Sequence, residues 1–213
     1  MVFGKIYGCS VDNRAHKSLL VAEFTGITLE TTPDFKPDIT NKSATYLSKF
    51  PLGQTPAFEG SDGLLLTESA AIAFHVAQAN KNTNLLGKDS EELAIIWQLI
   101  VFMESNLTHN ESELVKVNCF NQKLSDEMYK KLNSTTLYNY LDYLNNYIYD
   151  DDYLVGDSIT LADINLVCNL NFIYGYIINA EQRAKYSNLT RYYENMLSLP
   201  QFRKVIGEVK YQN

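Results

Sequence analysis

The sequence predicts an α/β domain followed by an all-α domain, and three observations predict it. Residues 50–69 (FPLGQTPAFEGSDGLLLTES) read as strand, tight turn, strand and helix start. Asn80 to Asp89 (NKNTNLLGKD) is polar with little periodicity, the mark of a linker. From Ser90 onward the apolar residues recur at helical spacing. The expected division is therefore 1–79 for the α/β domain, 80–89 for a linker and 90–213 for the helical domain.

Each element has its own signal. Val2 to Gly8 reads as a first strand, and the polar turn Cys9 to Arg14 leads into an amphipathic helix from Ala15, stopped at Gly26. A second strand is expected over Ile27–Glu30. A polar loop from Thr31 to Ser43, with Pro33 and Pro37, is expected to flank the site, and a short helix from Ser43 to Lys49 follows it. Gln54 to Phe58 is an extended run headed by Pro56, where a central ladder position would lack its N–H. A cis Thr55–Pro56 bond costs roughly 0.5–1 kcal/mol and would turn the Thr55 backbone outward, as an edge able to bind a peptide. Asp62-Gly63 signals a hairpin returning through Leu64-Leu65-Leu66. Thr67-Glu68-Ser69 then opens a helix with a broad buried face through Ala71, Ile72, Phe74, His75, Val76 and Ala79.

In the second half Leu93, Ile96, Trp97, Ile100 and Val101 keep a helical period. A long helix is expected over Asn121–Tyr149, its leucines interleaved with Tyr138, Tyr140, Tyr143 and Tyr147 as an aromatic core stripe. Thr160-Leu161-Ala162-Asp163 is a capping box with Asp163 in the glutamate position, a structural role whose loss costs about 1 kcal/mol. The helix it opens runs to Tyr174, and a last helix begins at Thr190 and ends near Pro200.

Composition narrows the function. A chain of 213 residues, 46% hydrophobic, can bury a full core, and its net charge of −7 argues against a nucleic-acid surface. Cys9, Cys119 and Cys168 have no paired spacing, so neither a disulfide framework nor a zinc site is expected, and a reducing compartment fits. His16, His75 and His109 lie far apart without ligand partners, so no metal is expected. No signal-peptide core and no membrane-spanning run of ~20 apolar residues is present, which points to the cytoplasm. The Asn-x-Ser/Thr triplets are chance matches in an Asn-rich chain.

The chemistry concentrates at Glu68-Ser69. Backbone N–H groups and a serine hydroxyl at a helix start bind a carboxylate, and a neighbouring glutamate holds an ammonium, which together clamp an amino-acid head group. A Gln-Thr-Pro strand followed about a dozen residues later by Glu-Ser resembles the glutathione-binding half of the glutathione transferase fold, whose N-terminal domain is thioredoxin-like. The chain is more similar still to the N-terminal, transferase-like domain of the gamma subunits of eukaryotic translation elongation factor 1. Phe50 to Gly60, Glu68 to Ala73, Tyr153 to Gly156, Thr160 to Ile164 and Pro200 to Lys210 carry that likeness, the last most distinctively.

The resemblance implies site residues. Gln54, Thr55, Pro56, Glu68 and Ser69 would bind glutathione, and Lys42, with its neighbour Asn41, would meet the glycine carboxylate. Ser10, four residues before Arg14, matches the serine that holds the glutathione thiolate in theta and plant-like classes. A hydroxyl donor and a helix N-terminus both favour the charged sulfur, lowering the thiol pKa from about 8.5. Ser10 also reads as a plain helix cap. Cys9 could form a mixed disulfide but lacks the proline that follows such cysteines, and Tyr7 alternates as a strand side chain that packs in the core. Glu104 reads as a helix-surface carboxylate, with a reach to a dimer partner's ligand as the competing role.

Two functions are implied. One is a scaffold in translation elongation that docks the nucleotide-exchange subunit, associates with aminoacyl-tRNA synthetases and pairs as a homodimer, with glutathione bound. The other is an active theta-like transferase conjugating glutathione to electrophiles or reducing peroxides. Because gamma subunits continue into a Lys-rich linker and a second module, the chain is expected to be a piece of a longer protein.

Overall fold

The computed structural model describes residues 2–9, 11–108, 123 and 125–212. Strands β1 (Gly4–Tyr7), β2 (Leu29–Thr31), β3 (Ala57–Gly60) and β4 (Leu65–Thr67) form a sheet in the order β2-β1-β3-β4. β1 is parallel to β2 and antiparallel to β3, and β4 returns antiparallel on β3. The side-chain alternation of the strands builds a layer on each face. Ile6 and its cross-strand partner Phe58 are buried against Ala15 and Ile72, on helices α1 (Asn13–Thr25) and α3 (Ser69–Gln78). The next pair, Tyr7 and Ala57, turns to the opposite face, where Phe35, Tyr46 and Phe50 gather around helix α2 (Ala44–Leu47).

Helix α1 starts earlier than its apolar period suggests, because Asp12 caps it. The Asp12 carboxylate accepts from the Arg14 backbone N–H at 3.0 Å and pairs with the Arg14 guanidinium at 3.0 Å.

The second half is helical: α4 (Ser90–Asn106), α5 (Asp126–Leu132), α6 (Thr135–Ile148), α7 (Leu161–Tyr176), α8 (Ala180–Arg183), α9 (Ser187–Leu197) and α10 (Pro200–Ile206). Two expectations are corrected here. In the described part of Asn121–Tyr149 the single long helix is two, because the Ser134 hydroxyl accepts from the Leu137 N–H and starts a new helix rather than continuing the old one. The end of the chain is also two helices, because Pro200 sits in the first turn of α10, where its missing N–H costs nothing.

Helix α7 is the centre. Every residue from Leu161 to Leu170 is buried, so this part of the helix has no solvent face and its polar groups must find protein partners. Asp163, 0% exposed, accepts from the Leu154 N–H at 2.8 Å, the Thr160 N–H at 2.7 Å, the Thr160 hydroxyl at 2.8 Å and the Tyr192 hydroxyl at 2.7 Å. Burial pushes its carboxyl above the usual range, opposed by these same donors.

A second polar group joins the domains. Lys17 on α1, 1% exposed, donates to Glu104 on α4 at 2.6 Å and to Thr108 at 3.4 Å. Asn165 on α7 donates to the same Glu104 oxygen at 2.7 Å, and Thr108 donates to Asn169 at 2.9 Å.

Because Asp163 satisfies several buried donors at once, its loss should exceed that of an ordinary cap. Asp163→Ala is expected to lower unfolding free energy by about 3 kcal/mol or more in urea titrations, through unpaired buried donors. The folded fraction should keep its ligand affinity.

Candidate functional site

The register of the sheet assembles the site. Ala57 lies opposite Thr67, so the residues just before β3 and just after β4 are neighbours: Thr55–Pro56 on one side, Glu68–Ser69 on the other. The Thr55–Pro56 bond is cis. The ladder begins only at Ala57, which leaves the Thr55 backbone outside it. Gly8, at the end of β1, passes close by: a Cβ there would stand 3.7 Å from Pro56 Cβ and 3.4 Å from Ala15 Cβ. The turn that starts at Cys9 thus leaves the sheet at the same edge.

Glu68 has φ +67°, in the left-handed region that non-glycine residues occupy at a cost of about 1–3 kcal/mol. It is exposed, and it stands as the N-cap of α3 without capping the helix through its side chain. The first N–H groups of α3 are therefore left for another acceptor, with Ser69, 7% exposed, as the first helical residue. An acceptor of negative charge is favoured at that point, with a carboxylate of the protein beside it for a positive one.

Asn41 and Lys42 do something the sequence does not signal. The Asn41 amide donates to the Gly53 carbonyl at 2.7 Å and the Lys42 ammonium to the same oxygen at 3.3 Å. Both residues therefore pin the loop that leads into Gln54-Thr55-Pro56. Gly53 has φ +60°, and a Cβ there would come within 2.9 Å of the Asn41 carbonyl oxygen, so the junction needs glycine. Asn41 is buried, and its Oδ1 has no hydrogen-bond partner, leaving an acceptor unsatisfied beside the loop. Tyr46 anchors the loop from below by donating to the Gln54 carbonyl at 2.5 Å, while the Gln54 side chain is exposed. Phe-Pro-Leu-Gly directly before Gln-Thr-Pro was the available signal for this joint.

On the thiol side, Ser10 lies outside the described residues, as do Cys119 and His109. Cys9 is disulfide-bonded, which corrects the expectation of unpaired cysteines; partners are chosen by the fold rather than by spacing along the chain. Tyr7 is committed elsewhere, its hydroxyl donating to Glu59 at 2.6 Å, with burial and that carboxylate holding the phenol above its usual range. Lys49 also pairs with Glu59 at 2.6 Å and, with Tyr7, holds the carboxyl below its usual range.

Glu104 is not an idle surface carboxylate: it is the counter-ion of buried Lys17, because α4 packs where α1 would otherwise leave an ammonium without a partner. His75 packs against Phe3 at 5.2 Å and Phe58 at 5.6 Å. Among the described residues no group of His, Cys, Asp and Glu could hold a metal ion, and no helix is long and apolar enough to cross a membrane.

Comparison with known proteins agrees with this geometry. Models of the glutathione S-transferase N-terminal domain and C-terminal domain match residues 3–78 and 107–200. Elongation factor 1-gamma-A of Xenopus laevis is 32% identical over 217 residues, covering 99% of this chain and 48% of that protein. Elongation factor 1-gamma of Artemia salina is 33% identical over 214 residues, with 99% and 48% covered, and that of Homo sapiens is 32% identical with the same coverage. The chain thus spans about half the length of these relatives. Among solved structures, poplar glutathione transferase F1 superposes with a TM-score of 0.81 at 22% identity, covering 97% of both chains. An epsilon-class glutathione S-transferase of the housefly Musca domestica gives 0.78 at 20% identity, covering 96% and 92%. These two likenesses establish the fold.

Proposed function

The chain carries the N-terminal and C-terminal domains of glutathione S-transferases and belongs to that family, and from that premise we propose that it is a scaffold of the translation elongation machinery with a retained glutathione cleft. The observation that carries this reading is the likeness to elongation factor 1-gamma, which runs through both domains from end to end. In this reading the main partner is the nucleotide-exchange subunit of the elongation factor 1 complex, with aminoacyl-tRNA synthetases as further ones, in the cytoplasm. The net charge of −7 argues against a nucleic-acid surface in this reading. Used as bait in eukaryotic cytosol at about 0.1 M salt, the protein should retain the exchange subunit. Its absence from the bound fraction overturns the scaffold role.

The cleft is proposed to hold glutathione by its γ-glutamyl head. The carboxylate takes the α3 N–H groups and the Ser69 hydroxyl, the ammonium faces Glu68, and the Thr55 backbone pairs with the cysteinyl unit. Gln54 and Pro56 shape the edge, and Asn41 and Lys42 stand nearest the glycine end. Calorimetry should show glutathione binding, weakened about tenfold by Glu68→Ala or Ser69→Ala, the scale of one charge-assisted hydrogen bond. No heat at millimolar ligand removes the cleft. Conjugation assayed on the same sample tests Ser10: any turnover should fall ~10²-fold in Ser10→Ala, and unchanged turnover ends that role.

Homodimerisation is proposed through apolar side chains that the single chain leaves exposed, Leu64 just before β4, Leu65 on it, and Ile95 and Val101 on α4. Val101, 57% exposed, is the test position. Sedimentation velocity should report a dimer for the native chain and a monomer for Val101→Glu, and a monomer in both rules the pairing out.

A further inference from the structure

Strand β2 stands at the side of the sheet away from β4, and its outer edge is free. The Thr28 carbonyl, just before the strand, turns toward β1 and accepts from the Phe3 N–H at 2.9 Å. Backbone groups alternate in direction along a strand, so those of Glu30 also face β1, while the N–H and C=O of Leu29 and Thr31 face the open side. Side chains alternate between the two faces. Leu29 packs into the core on the α1 side, which puts Glu30 on the opposite face, where it is exposed. Glu30 has no hydrogen bond or ion pair among the described residues. Its cross-strand neighbour Lys5 holds its ammonium 5.2 Å over the Tyr7 ring instead.

On the α1 side a groove of about 500 Å³ runs along this edge. Leu19 and Ala22 of α1, Leu29 of β2 and Val205 of α10 give it apolar walls, and the Glu23–Lys204 ion pair at 2.8 Å also lines it. The edge is fixed at both ends. Gly26, at φ +71°, ends α1, and the Ile27 N–H donates back to the Ala22 carbonyl at 3.0 Å. Past the strand, the Thr32 hydroxyl donates to the Ile6 carbonyl at 3.0 Å. A partner that pairs with this edge therefore meets a strand already held in its paired form.

We propose that the β2 edge binds an extended segment of another protein in which one basic residue stands between two apolar ones. Only an extended backbone matches donors and acceptors that recur along a strand edge. Laid antiparallel to β2, the apolar residues exchange hydrogen bonds with Leu29 and Thr31 and set their side chains over the groove. The basic residue between them becomes the close, non-hydrogen-bonded neighbour of Glu30. Charge selects this occupant. A second copy of the chain, in the register that uses the whole edge, would set Glu30 against itself, and like charges directly opposite are destabilising. The net charge of −7 favours a basic partner as well. A short strand with a charge at its centre also keeps the edge from pairing at random. The edge shares no residue with the cleft proposed for glutathione, and either can fail without the other.

The test is fluorescence anisotropy of a labelled peptide, Thr-Val-Lys-Val-Thr with blocked ends, titrated with the intact chain at about 0.1 M salt. Binding with Kd near ~100 μM is expected. Glutamate in place of the peptide's lysine, or methyl groups on the backbone nitrogens of both valines, should weaken it at least about tenfold. Glu30→Lys should reverse the preference, taking the glutamate peptide over the lysine one, which loss of folding cannot imitate. Thr31→Pro removes an N–H that the ladder does not use, so its melting temperature should hold while peptide affinity falls about tenfold. Absence of binding up to about 1 mM, equal binding of the glutamate or methylated peptide, or an unreversed preference in Glu30→Lys overturns the proposal. So does native affinity in a folded Thr31→Pro, or self-association of the native chain that Thr31→Pro abolishes, which gives the edge to a second copy.

Discussion

Burial of helix α7 on every side from Leu161 to Leu170 is the constraint on which the rest of the structure depends. A helix without a solvent face cannot leave a polar group to water, so each one it carries dictates what surrounds it. Asp163 draws in the Leu154 and Thr160 amides and the Tyr192 hydroxyl, and so sets how the turn before α7 and helix α9 approach it. Asn165 and Asn169 draw in Glu104 of α4 and Thr108 just beyond its end. Glu104 in turn holds Lys17, which lies on the first domain. One buried helix thereby orients the thioredoxin-like half of the molecule against the helical half.

That linkage also explains why two carboxylates with ligand-like appearances have structural work. A buried ammonium without its counter-ion is far more costly than a surface ion pair is favourable, so Glu104 is tied to Lys17 before it can serve any ligand. Glu59 is also engaged, by Tyr7 and by the partly exposed Lys49, though at the surface rather than around a buried charge. Glu68 differs from both. It is exposed, sits in a strained backbone conformation and spends its side chain on no helix cap, the pattern of a residue held ready for something outside the chain.

The cleft proposed for glutathione is formed by sheet register and a helix start within the first domain.

Local chemistry determined what the sequence alone revealed. Alternation, the Asp62-Gly63 hairpin, the proline heading the third strand, the helix start at Ser69 and the Thr160–Asp163 cap are all short-range signals, and each is present in the structure where a few neighbouring residues decide the matter. Where a side-chain cap competed with a helical period, at Asp12 and Ser134, element boundaries moved. Tertiary structure alone decided the partners: that Asn41 and Lys42 meet Gly53, that Lys17 is buried against Glu104, that Cys9 is disulfide-bonded, and that the last residues return to Tyr174. The physical reason is range. A turn or a cap is stabilised by atoms a few residues apart, whereas a buried charge is satisfied by whichever group the fold delivers, 87 positions away in the case of Lys17 and Glu104.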